Sequence, residues 1–90
     1  MNEKKKLEEI RNDIDSLDKQ LLDLISDRAR LAQEIAKIKI TSSETLEFYR
    51  PEREAQILRK IIEYNSGPLS EEEMARLFRE IMSACLALEQ

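Results

Sequence analysis

From Asn2 to about Ile40 the sequence holds neither glycine nor proline, and its apolar residues recur at alternate spacings of three and four. Leu7, Ile10, Ile14, Leu17, Leu21, Leu24, Arg28, Leu31, Ile35 and Ile38 make up the series. An α-helix turns once every 3.6 residues, so these positions run down one side of a single long helix as a heptad seam. Nine are apolar and one is arginine. A helix over about residues 3–39 is roughly 55 Å long at 1.5 Å per residue. A compact domain of this length has a radius of gyration of only about 12 Å. One end of the helix must therefore project from its own fold, with the seam still apolar there. A second copy is the simplest cover, because two-fold homodimers are the commonest oligomers. The seam thus predicts a homodimer.

The remaining breakers divide the chain. The polar run Thr41-Ser42-Ser43-Glu44-Thr45 opens a loop of about 40–50. Pro51 suits the first turn of a helix, where its missing N–H costs nothing. That helix is expected over about 51–64, with Ile57, Leu58, Ile61 and Ile62 as its apolar stripe. Asn65-Ser66-Gly67-Pro68 is a stop signal. Ser70 followed by Glu73 reads as a capping box. It starts a third helix over about 71–89, carrying Met74, Phe78, Ile81, Cys85 and Leu88 at helical spacing. The expectation is one all-α domain over 1–90: one very long N-terminal helix and two shorter ones.

Charge and composition exclude several classes. The net charge is −4, which weighs against nucleic acid as a partner. Lys4, Lys5 and Lys6 read as a solvated terminus. No apolar run is long enough for a signal or a membrane span, so no membrane partner is expected. Cys85 is the single cysteine and has no disulfide partner in its own chain, which suits a reducing cytoplasm. With no histidine, a His-dependent triad is excluded, and neither a metal nor a cofactor is expected.

Four kinds of residue remain for chemistry. Arg28 places a guanidinium in an apolar seam, which costs desolvation energy unless an anion meets it. An internal ion pair or a register-setting arginine explains it as well as a bound ligand does. Lys39 lies eleven residues on, three turns away on the same face, about 16 Å along the axis. Alone it also fits a lysine complementing the helix dipole. Arg11 is seventeen residues before Arg28, about 25 Å away. If two copies of the first helix cross antiparallel near residues 19 and 20, Arg11 of one copy comes level with Arg28 of the other. Otherwise it is a surface arginine. Glu52 is a first-turn acid by default. Glu89 sits four residues after Cys85, either solvated or poised in a pocket. Cys85 is by default a small buried hydrophobe.

Several stretches together resemble one family. Ile10-Arg11-Asn12-Asp13-Ile14-Asp15-Ser16-Leu17-Asp18 with Leu21-Leu22 resembles the opening of the all-helical chorismate mutases. Asp27-Arg28-Ala29-Arg30-Leu31-Ala32 with Ile35-Ala36-Lys37-Ile38-Lys39 continues the likeness, as do Pro51-Glu52-Arg53-Glu54 and Ile81-Met82-Ser83-Ala84-Cys85-Leu86. The resemblance spans essentially the whole chain. It implies an intertwined three-helix homodimer that converts chorismate, a dianion, to prephenate on the way to phenylalanine and tyrosine. It implies that Arg28, and Arg11 from the partner chain, bind the two carboxylates, and that Lys39 approaches the ether oxygen. Glu52 would hydrogen-bond the ring hydroxyl, and Glu89 would be a second donor to the ether oxygen. Backbone N–H groups near Phe48 and Cys85 would line the site.

The chain also departs from the family's pattern. Many members carry glutamine at the position of Glu89. A carboxylate cannot donate a hydrogen bond and a carboxylic acid can, so activity is expected to need Glu89 protonated. A hydroxyl residue is common at the position of Cys85, and some members carry arginine at that of Pro51. Two rivals remain at the level of sequence. One is a lyase that removes pyruvate from isochorismate on the same architecture. The other is a helical dimerisation module without catalysis, which leaves Arg28 and Lys39 unexplained.

Overall fold

A computed structural model describes residues 2–41 and 51–89, with side chains described over 2–38 and 51–89. These residues form three helices, α1 (Asn2–Thr41), α2 (Pro51–Tyr64) and α3 (Glu71–Ala87), and no strand. The fold is all-α, as the spacings predict. Most of the expected loop, including Phe48, lies outside the described residues.

The first helix follows from its composition. It draws heavily on Leu, Glu, Lys, Arg and Ala, which lose little entropy in a helix. Asp27 and Arg30 pair at 2.8 Å, and Glu34 and Lys37 at 3.4 Å, each acid one turn before its base. Both pairs are solvent-exposed, so each adds only a few tenths of a kcal/mol. The helix is far longer than the rest of the fold can cover. The molecule measures 65 × 24 × 16 Å and its radius of gyration is 17.7 Å, against about 12 Å for a compact domain of this length.

The first helix packs along α3, and α3 packs along α2; α1 and α2 do not pair among the described residues. A second stripe on α1 makes its contact close. Ala29, Ala32 and Ala36 lie at helical spacing beside the seam, with Ala32 buried and the other two half-buried. Methyl-sized side chains let α3 approach the α1 backbone. Facing them, α3 buries Met82 and Cys85, and Ala75 is buried nearer its start. The third helix is therefore the middle layer. The inward stripe of α2 is Ile57, Leu58, Ile61 and Ile62, all half-buried.

The turn from α2 to α3 is built from short polar contacts. The Asn65 N–H donates to the Ile61 carbonyl at 2.9 Å, and its side-chain amide donates to the Leu69 carbonyl at 2.9 Å. The Asn65 side-chain oxygen accepts from the Gly67 N–H at 3.1 Å. Gly67 has φ +87°, a region that side-chain-bearing residues avoid, and a cis bond joins it to Pro68. Ser70 caps α3 by accepting from the Glu73 N–H at 3.1 Å. Only half of the expected capping box forms, since the Glu73 carboxylate instead meets Arg76 at 3.0 Å.

The third helix ends at Ala87, short of the expected residue 89. The Leu88 N–H turns to the Cys85 carbonyl at 3.0 Å and the Glu89 N–H to the Leu86 carbonyl at 2.9 Å. Bonds that reach back three residues tighten the last turn beyond helical geometry.

Little of the seam is covered. Its nine apolar residues are each between 42% and 66% exposed. The chain presents 7871 Å² to solvent, where a compact monomer of its mass presents roughly 5500 Å².

Nothing lies within 4 Å of a Cβ built on Gly67, so the cost of a side chain there is backbone conformation alone. Gly67→Ala is expected to destabilise the protein by about 1 kcal/mol. Urea unfolding at one fixed protomer concentration measures it, and an unchanged midpoint would remove the conformational argument.

Candidate functional site

Arg28 is half-buried, although it lies in a seam whose apolar members are exposed. It precedes Ala29, so it stands where the seam meets the alanine stripe, at the edge of the α1–α3 contact. The contact opens into a groove of about 460 Å³ lined by Ile25 and Ala29 of α1 and by Glu80, Ile81, Ala84, Cys85 and Leu88 on the α3 side. Among the lining side chains only Glu80 is charged, and the spacing argument did not single it out.

Cys85 is buried on the α1-facing side of α3 and is a free thiol. Its backbone N–H lies inside α3, where the helix ladder already engages it. Glu89 follows one turn later, half-buried in the tightened end of the helix. Cys85 thus lines the α1–α3 groove, while Arg28 and Glu89 are the sequence neighbours of two lining residues, Ala29 and Leu88. Lys39 continues the face of Arg28 within α1, about 16 Å along the axis; its side chain and Phe48 are outside the described residues. Arg11 is exposed and about 25 Å from Arg28 along the same helix. Within one chain it does not share a site with Arg28.

The acids of α2 differ from expectation. Glu52 is exposed, whereas Glu54 is half-buried. The spacing explains the difference. Glu54 precedes Ile57 by three residues and Leu58 by four, so it is the first member of the inward stripe. Glu52 points away from that stripe. Glu54 makes no hydrogen bond or ion pair among the described residues, while its neighbour Arg53 is turned outward onto Gln56 at 3.0 Å. A carboxylate on an apolar stripe without a partner is costly for the fold alone. The three-and-four spacing would have revealed Glu54; the resemblance drew attention to Glu52 instead.

The family model for chorismate mutase type II matches residues 10–90. The chain belongs to that family. Over its whole length it is 61% identical to a bifunctional chorismate mutase/prephenate dehydratase of Stutzerimonas stutzeri, and 56% identical to the protein so named in Pseudomonas aeruginosa. It spans 26% of the length of each, about a quarter of these relatives. The structure resembles a chorismate mutase of Thermus thermophilus with a TM-score of 0.87 and 34% identity, covering 93% of both chains. It resembles the chorismate mutase of Helicobacter pylori, solved in complex with prephenate, with a TM-score of 0.79 and 31% identity, covering 92% of this chain and 88% of that one. No helix among the described residues is long and apolar enough to cross a membrane.

The misfit acid of α2 can be tested on stability alone. Glu54→Leu is expected to raise stability by about 1 kcal/mol, because it completes the stripe. Glu52→Leu is expected to change stability by less than about 0.5 kcal/mol. Chemical denaturation of both variants checks this, and equal effects would show that the two acids are not differently placed.

Proposed function

We propose that the protein is a chorismate mutase that works as an antiparallel homodimer. The observation that carries this reading is Arg28, half-buried within an apolar seam, in a chain of the chorismate mutase type II family. A cation kept in such a place needs an anion, and chorismate carries two carboxylates.

The reaction is an intramolecular rearrangement. One C–O bond breaks as one C–C bond forms, with no external nucleophile, redox change or cofactor. The protein's task is to hold a flexible dianion in its compact reactive conformer and to stabilise charge growing on the ether oxygen. In this reading Arg28 and Arg11 of the second copy each grip one carboxylate, where the guanidinium fork suits bidentate binding. Lys39 and Glu89 approach the ether oxygen. Of the α2 acids, Glu54 is better placed than Glu52 to accept from the ring hydroxyl, because it opens the inward stripe. The Phe48 N–H completes the wall. The Cys85 N–H could contribute only a shared bond, since the α3 ladder engages it, so its small side chain matters more than its donor. The dimer covers the apolar seams of both copies, and the chain works in the cytoplasm with Cys85 reduced.

The first test is product identity. Incubation with chorismate is expected to yield prephenate by NMR, and Arg28→Leu is expected to lower kcat/KM by at least about a hundredfold. The same substitution should maintain or raise stability, because leucine completes the seam. A wild type inert toward chorismate would overturn the reading; turnover of isochorismate with release of pyruvate would then identify the lyase.

Glu89 is tested by its donor. Only the acid form of this side chain can donate to the ether oxygen, whereas glutamine always carries a donor. Glu89→Gln is therefore expected to keep or raise kcat/KM, and Glu89→Ala to lower it at least about tenfold. Equal activity of Glu89→Ala and the wild type would exclude this role.

A further inference from the structure

The seam admits two antiparallel pairings of α1 with a second copy, and the charges beside the seam choose between them. This inference rests on the dimer reading and goes further, because it fixes the register. Apolar layers match if Leu17 faces Leu21 of the second copy, with the helices crossing at about position 19. They also match if Leu21 faces Leu24 of the second copy, with the crossing about three and a half residues later. The second register buries more of the seam. The first leaves Ile35 and Ile38 beyond the end of the partner's seam, beside the segment between Arg28 and Lys39.

Lys6, Asp13, Asp27 and Glu34 flank one edge of the seam at multiples of seven residues. Flanking positions of this kind meet across an antiparallel pair and set partner and orientation. In the first register Lys6 faces Glu34 of the second copy, and the contact occurs twice by symmetry. Asp13 then faces Asp27 of the second copy, but Asp27 is already held by its own Arg30 at 2.8 Å. In the second register Asp13 faces Glu34 of the second copy, two acids together, and Lys6 meets only the far end of α1. Lys6 is exposed and has no ion pair among the described residues. The Glu34 carboxylate is 61% exposed and only loosely engaged by Lys37 at 3.4 Å. Both groups are therefore available to a partner.

We infer that two Lys6–Glu34 contacts between copies hold the α1 pair in the register that crosses at about position 19. That register brings Arg11 of the second copy level with Arg28. The other sets it level with position 34, about 9 Å further along the axis. The charge contact thus decides whether the site receives its second arginine.

The sign of one substitution separates the registers. Glu34→Lys replaces attraction by repulsion in the first register and repulsion by attraction in the second. Sedimentation equilibrium at low ionic strength, where exposed charges are least screened, reads the dimer dissociation constant. Glu34→Lys is expected to weaken the dimer about tenfold, and Lys6→Glu combined with Glu34→Lys to recover most of the loss. Tightening or no change with Glu34→Lys would overturn the register while leaving the dimer standing. Weakening that the double variant does not recover would overturn the Lys6 pairing. A wild type that sediments as a monomer at every concentration would overturn the dimer itself, and the register with it.

Discussion

An apolar seam that its own chain leaves exposed sets the terms for everything else in this molecule. Nine seam residues along α1 each keep between 42% and 66% of their surface in solvent. Against them, among the described residues, only Ala32, Ala75, Met82 and Cys85 are buried as an apolar core. The excess over a compact monomer is roughly 2400 Å² per chain. Stable obligate interfaces bury about 2000–5000 Å² in total over both partners. The surplus therefore matches an obligate interface in scale. Four small or flexible buried residues cannot offset the conformational entropy of fixing a ninety-residue chain. A second copy covering the seam, as proposed, would make folding and association one process and stability dependent on protomer concentration.

The first helix separates two tasks by side-chain size. On one face, leucine and isoleucine repeat and remain exposed. On the neighbouring face, alanines let α3 come close. Arg28 lies where the faces meet. Its charge would be costly inside either contact, yet at their shared edge it is half-buried and can still meet a ligand. Across the alanine face, the buried thiol of α3 lines a groove shared with α1. In the proposed dimer the site would arise at the boundary between intrachain and interchain packing, so that neither the fold nor the dimer alone would complete it.

Much of this was legible in the sequence because periodicity and breakers are local. Helix number, the long α1 and the Asn65–Pro68 turn follow from spacing and from two prolines and one glycine. What was not legible depended on competition between partners. Glu73 fits a capping box, but Arg76 one turn on takes its carboxylate. Nothing local marks Ala87 as the end of α3; the tightened bonds at Leu88 and Glu89 decide it. In α2 the periodicity marks Glu54, which shares the stripe of Ile57 and Leu58, whereas the family likeness pointed to Glu52, which is exposed.

The opposed sides of Arg28 bear on why such a chain keeps a misfit. Replacing an isolated cation in a heptad seam by leucine would improve the interface, and replacing Glu54 by leucine would improve the α2 stripe. Each charged residue therefore stands against the apolar pattern of its own helix. Charges of opposite sign on separate helices, unpaired among the described residues, do not stabilise the free protein unless they meet. In the proposed function, a ligand that carries two carboxylates and a hydroxyl would relieve both costs at once. On that reading the cost is converted into affinity for a molecule with those groups, a use that a structural coiled coil would not have.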